Sequence, residues 1–136
     1  MIVMDASLAA AWLLHETEAV PTETLVEVLS QEPIIVPPHW PTEVGNALRR
    51  AVRTGRLERT DIRAMVERLA LLDVTKTQPL ASIDISALVD FALEHGLSVY
   101  DAAYLRLAAD QRLPLATVDV ALRNAAKGIG VEVLPA

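Results

Sequence analysis

The sequence predicts an α/β fold, a three-layer sandwich with a central, mostly parallel sheet, and three observations carry that expectation. Short aliphatic runs at Ile2-Val3-Met4, Ile34-Ile35-Val36 and Leu115-Ala116-Thr117-Val118 lack the alternation of a half-solvated strand and read as strands covered on both faces. Segments with apolar residues at helical spacing separate them, and parallel neighbours need such crossovers, which are right-handed. Hydrophobic residues make up 52% of the chain but aromatic ones only 4%, so the core is aliphatic and its helices are rich in Ala and Leu. With no repeat, linker or low-complexity stretch, residues 1–136 read as one domain, long enough to bury roughly two-thirds of the unfolded surface.

The first strand stops abruptly at Asp5, and Ser7 is placed to cap a helix on which Leu8, Trp12 and either Ala11 or His15 recur. Residues 21–31 form a second helix with Val20, Leu25, Val28 and Leu29 as its stripe, ended by Pro33. The second strand, 34–36, is closed by Pro37-Pro38. His39-Trp40-Pro41 leads into a helix with Val44, Ala47, Leu48, Ala51 and Val52 inward, Glu43 in its first turn and Gly55 at its end. Thr60 or Asp61 caps a helix reaching Leu72, with Ile62, Met65, Val66 and Leu69 on one face.

Asp73-Val74-Thr75 fits a polar edge strand. Residues 83–95 are helical, with His95 in the last turn and Gly96 as a left-handed cap. Ser98-Val99-Tyr100-Asp101 opens a helix with Ala102, Leu105 and Ala109 inward, which ends by Pro114. A strand at 115–118, a short helix at 119–126, a Gly128-Ile129-Gly130 turn and a strand at 131–133 complete the chain.

A formal charge of −6 excludes strong nonspecific attraction to nucleic acid by the whole domain, so such a partner needs a local basic patch or a bridging cation. The chain has no cysteine, which removes disulfides and thiolate metal sites and fits a reducing, cytoplasmic compartment. The apolar start lacks a preceding basic residue and is interrupted by Asp5, unlike a signal peptide, and no apolar run reaches the roughly twenty residues of a membrane span.

Four acids share one kind of position. Asp5 and Asp119 end apolar strands, while Glu43 and Asp101 lie in first turns of helices leaving the same side of the sheet, so all four are expected to converge. Each has a local explanation: Asp119 as an N-cap, Asp101 in a capping pattern with Ser98 and Glu43 in a first turn, each worth about 0.3–1 kcal/mol. Asp5 is harder to explain this way, because Ser7 stands ready as the cap and a carboxylate beside a buried strand loses solvation. Two carboxylates about 4 Å apart repel by roughly 4 kcal/mol at an effective dielectric near 20, more than either cap returns. Such a cluster wants a cation, and oxygen-only donors with little His and no Cys favour Mg²⁺ or Mn²⁺ over zinc.

Asp5 in Val-Met-Asp-Ala-Ser, Glu43 in Pro-Thr-Glu-Val-Gly-Asn-Ala-Leu, Asp101 in Ser-Val-Tyr-Asp-Ala-Ala-Tyr-Leu and Asp119 in Ala-Thr-Val-Asp together resemble the PIN-domain nucleases. Among them the chain is most similar to VapC-type toxins of toxin–antitoxin systems, over essentially its whole length. The resemblance implies an Mg²⁺- or Mn²⁺-dependent endoribonuclease in which Asp5, Glu43, Asp101 and Asp119 hold metal and do the catalytic work. It also implies an RNA substrate, a cognate VapB-like antitoxin and a homodimer. Thr117 matches a family hydroxyl position, Asn46 lies one turn beyond Glu43, and Ser7 stands beside Asp5, which makes them supporting candidates. Water activated by a carboxylate-held ion, with Asp5 or Asp101 as proton acceptor, leaves a 5′-phosphate and a 3′-hydroxyl.

Arg49, Arg53 and Arg56, with Arg50 and Arg59 nearby, form the one basic concentration and are candidates for an RNA-backbone contact; a solvated helix face explains them as well. Arg63 and Arg68 read as surface charges, His39 as a loop residue, and Trp12, Trp40, Tyr100 and Tyr104 as core or interface. Two other classes compete. A haloacid-dehalogenase-like phosphatase needs a second Asp where Ser7 stands, and a receiver domain needs a third-strand phosphoacceptor and a late Lys that are not evident. A catalytically silent scaffold of the same fold is set against the presence of all four acids.

Overall fold

The computed structural model describes residues 1–14, 22–30, 33–77 and 82–136. Among these, five strands form one sheet: β1 (Ile2–Met4), β2 (Ile34–Val36), β3 (Val74–Lys76), β4 (Leu115–Ala116) and β5 (Val133–Leu134). The order is β3-β2-β1-β4-β5 and every pairing is parallel. The chain runs outward from β1 through β2 to β3, then returns to the other side of β1 for β4 and β5. The C-terminal end of β1 therefore lies at the point where the winding reverses, the crevice in which ligands of such sheets bind.

The helices are α1 (Ala6–Leu13), α2 (Thr22–Leu29), α3 (Trp40–Arg53), α4 (Ile62–Leu69), α5 (Ser82–His95), α6 (Val99–Gln111) and α7 (Val120–Gly128). α1 packs on α3 and α2, while α6 packs on β1 and β4 and carries α5 on its outer side. All three residues of β1 are buried, as the absence of alternation in Ile2-Val3-Met4 requires. They join Leu8, Leu13, Ile34, Val36, Leu105, Leu115 and Leu122 in the main aliphatic core, and Leu88, Ala92 and Ala102 form a smaller cluster between α5 and α6.

Several boundaries differ from the expectation for physical reasons. The α4 region opens with a short 3-10 turn, Arg59–Asp61, whose capping box is made by Glu58 and Asp61, and α4 stops at Leu69 rather than reaching Leu72. The edge strand begins at Val74, paired with Ile34. Gly96, at φ +64, takes the left-handed conformation expected after His95, whereas α6 ends on Arg112 at φ 55, a non-glycine residue in that region. Arg68 is not an ordinary surface charge: its guanidinium donates to the Leu13 carbonyl at 3.2 Å and lies 4.7 Å above the Trp12 ring, tying α4 to α1. His15, Val20, Pro21 and Gln31 lie outside the described residues.

Candidate active site

The ladders that join β4 to β1 and to β5 extend beyond the strands and deliver Asp5 and Thr117 side by side. The Asp5 N–H donates to the Ala116 carbonyl at 3.1 Å, and the Thr117 N–H to Leu134 at 3.0 Å. Asp5 is 2% exposed and Thr117 fully enclosed, so two polar side chains sit in an otherwise apolar layer. Each carboxylate oxygen is engaged. Oδ1 accepts from the Leu8 N–H at 3.1 Å and from Ser7 Oγ at 2.8 Å, and Oδ2 accepts from Thr117 Oγ1 at 2.7 Å and from Ser7 Oγ at 2.9 Å.

The expected cap is thereby reversed. Asp5, at φ −83 and ψ 169, is itself the N-cap of α1, and Ser7 lies inside the helix and donates back to it. The extended backbone at the end of β1 already has N-cap geometry, so the acid two residues earlier takes the role. Burial pushes the Asp5 carboxyl up to about 7, against the opposing hydrogen bonds from Thr117, Leu8 and Ser7, with Asp101's charge pushing it further up.

Glu43 enters from the first turn of α3. Its Oε1 accepts from Tyr104 Oη at 2.8 Å and lies 3.1 Å from His39 Nε2. Burial favours the neutral acid, but the hydrogen bonds from His39 and Tyr104 and the His39 charge outweigh it and hold Glu43 below its ordinary value. The same surroundings push the Tyr104 hydroxyl far up, through burial first and then through Glu43. Asp101, on α6 one turn before Tyr104, is raised by burial and by the charges of Asp119 and Glu43, opposed by its hydrogen bond with Ser98 and by His39. Asp119 caps α7 through Leu122 N–H at 2.8 Å, and its own N–H donates to Thr117 Oγ1 at 3.0 Å.

The four acids are thus electrostatically joined through Asp101, which feels Glu43 and Asp119 and is felt by Asp5. They are not a ready-made cage: among the described residues, no three His, Asp or Glu side chains are gathered closely enough to hold a metal ion as they stand. Their chemistry nevertheless fits a hard divalent cation. The donors are all carboxylate oxygen, Asp101 is destabilised as an anion by its neighbours, and Glu43 is held ionised.

Beside Ser7 and Glu43 opens a groove of about 560 Å³, further lined by Asn46, Arg50, Arg56 and Tyr100. Of the basic residues singled out in the sequence, Arg56 lines it, while Arg49 and Arg53 are exposed on other parts of α3. Arg50, seven residues after Glu43, takes their place, because the helix repeat puts Glu43, Asn46, Ala47 and Arg50 on one stripe. Two residues outside the candidate set also reach the site: His39, at the N-cap of α3, and Tyr104, which lies in the core as expected and turns its hydroxyl to Glu43. The available signals were the spacing of His39 four residues before Glu43 and of Tyr104 three residues after Asp101.

Comparison with known proteins gives concordant results. Residues 2–128 match the PIN domain family. The chain is 30% identical over 124 residues to the VapC ribonuclease Mb0985 of Mycobacterium bovis and equally to ribonuclease VapC9 of Mycobacterium tuberculosis, covering 91% of this chain and 90% of each relative. Among solved structures, PAE2754 from Pyrobaculum aerophilum superposes with a TM-score of 0.69 at 26% identity, over 97% of this chain and 81% of that one. FitAcB from Neisseria gonorrhoeae shares the fold, with a TM-score of 0.58 at 19% identity over 98% of this chain and 96% of that one.

Proposed function

This chain belongs to the PIN domain family, among its VapC ribonucleases, and on that premise we propose that it is a toxin endoribonuclease that hydrolyses RNA phosphodiesters with Mg²⁺ or Mn²⁺. The observation that carries the reading is the electrostatic coupling of Asp5, Glu43 and Asp119 to Asp101 at the sheet's switch point, beside an open groove. Asp5, Glu43, Asp101 and Asp119 would hold the ion, which when bound supplies an activated water and a counter-charge for the phosphodiester. Thr117 and Ser7 orient Asp5. Asp101, half-buried at the start of α6, is the acid that accepts the proton released in the attack. Arg50 and Asn46 flank the path by which the RNA backbone approaches. Cleavage leaves a 5′-phosphate and a 3′-hydroxyl.

A cognate VapB-like antitoxin would silence the enzyme by covering the groove, and the active form is a cytoplasmic homodimer. No helix among the described residues is long and apolar enough to cross a membrane. The silent-scaffold reading draws its support from Asp5, both of whose oxygens are engaged by its own neighbours. One experiment separates the two. Purified protein is incubated with RNA in Mg²⁺, Mn²⁺ or EDTA, beside Asp101→Asn, and product ends are identified. Cleavage to 5′-phosphate ends that needs the metal and Asp101 supports the enzyme. Cyclic-phosphate ends, or equal cleavage by the variant, refute the assignment, and no cleavage by wild type leaves the scaffold.

A further inference from the structure

We propose that His39 and Tyr104 are positioning residues for Glu43, fixing its carboxylate so that one oxygen stays available to a divalent cation; this rests on the metal-dependent reading above. Both donors converge on Oε1, with Tyr104 Oη at 2.8 Å and His39 Nε2 at 3.1 Å. Among the described residues, Oε2 has no hydrogen-bond partner. A glutamate in a first turn ordinarily swings through several rotamers, and beside Asp101 and Asp119 it has an electrostatic reason to swing away. Two donors from separate elements remove that freedom, one preceding α3 and one on α6.

The clamp is itself supported. Tyr104 is 1% exposed, so its ring is enclosed by the core around α6. The His39 ring stands edge-on to Tyr104 and to Tyr100, at centroid separations of 5.0 and 5.6 Å. His39 Nε2 also lies 3.2 Å from the Tyr100 carbonyl, which pulls the ring toward the start of α6, where Asp101 lies. The supporting partners of ligating side chains commonly change metal affinity by about 10- to 100-fold when removed.

The test is calorimetric titration with Mn²⁺ of wild type, Tyr104→Phe, His39→Ala and His39→Gln, each first melted in EDTA to establish folding. Tyr104→Phe and His39→Ala are expected to weaken Mn²⁺ about tenfold. His39→Gln, whose amide donates near the former Nε2 position, regains most of the loss. Saturating Mn²⁺ returns the Tyr104→Phe turnover toward wild type, which a general structural defect does not permit. Unchanged affinity in Tyr104→Phe and His39→Ala overturns the proposal while leaving the metal-dependent reading intact, and absence of Mn²⁺ binding by wild type overturns both. Should Tyr104→Phe fail to fold, the histidine pair decides: Gln binding no tighter than Ala refutes the clamp.

Discussion

Asp5→Asn should make the metal-free protein more stable at pH 8 while abolishing its activity. In the folded chain the Asp5 carboxyl is raised from 3.8 to about 7, and at about 1.4 kcal/mol per tenfold this sets roughly 4 kcal/mol against the ionised form. Because the folded value lies above the unfolded one, the folded state binds the extra proton between them. The contribution of this one carboxyl is whole below about pH 4, falls as pH rises toward 7 and levels off above it. Asparagine abolishes that slope without orphaning its neighbours. Its carbonyl accepts from Leu8 N–H and Ser7, its amide donates to Thr117 Oγ1, and the Thr117 proton turns to Ser7 Oγ, 3.2 Å away.

The expected gain at pH 8 in EDTA is about 2–4 kcal/mol, or on the order of 10 °C in melting temperature for a domain of this size. The assay is a pair of melts, wild type and Asp5→Asn, at pH 4.5 and 8. A variant less stable than wild type at both values would falsify the claim that burial of this carboxylate is strained. Function and stability then compete at a single side chain, as is common where a site is preorganised for its chemistry.

Other consequences follow from the same contacts. Thr117→Val removes a donor to Asp5 and the acceptor for the Asp119 N–H; it should cost about 1–3 kcal/mol by urea denaturation at pH 8, and a smaller loss at pH 4.5 identifies the charged partner. Arg123→Ala breaks bonds of 2.8 Å to the Thr117 carbonyl and 2.6 Å to the Pro135 carbonyl; a loss of about 1–3 kcal/mol is expected, and a loss below 0.5 kcal/mol shows that the tail is not secured this way. Arg50→Ala should raise KM for RNA and lower the salt slope by about one with little change in kcat, whereas Arg49→Ala, off the groove, leaves both unchanged. Equal effects of the two would place the RNA elsewhere.

The sheet was legible because its strands are written as short unbroken aliphatic runs, and the acids because they punctuate strand ends and helix starts. What pattern alone could not settle was which of two polar residues does a local job. Asp5 and Ser7 are both good caps, and only the extended backbone at the end of β1 makes the acid the cap and the serine its donor. Tyr104 and Glu43 lie 61 residues apart, so their hydrogen bond exists only once α3 and α6 are brought together. Arg68 looked solvated because nothing local to it reveals that Trp12 lies beneath. The choice of Arg50 rather than Arg49 depends on the rotation of α3 about its axis, which spacing from Glu43 encodes but composition does not.

The most direct measurement is a carboxyl-carbon NMR titration of Asp5 and Asp101, in EDTA and then in saturating Mg²⁺. Without metal, Asp5 should titrate near 7 and Asp101 above 3.8, and Mg²⁺ should bring both down together as the ion neutralises their surroundings. Ordinary carboxylate titration in EDTA, or curves that Mg²⁺ does not move, would contradict a cation site among these acids.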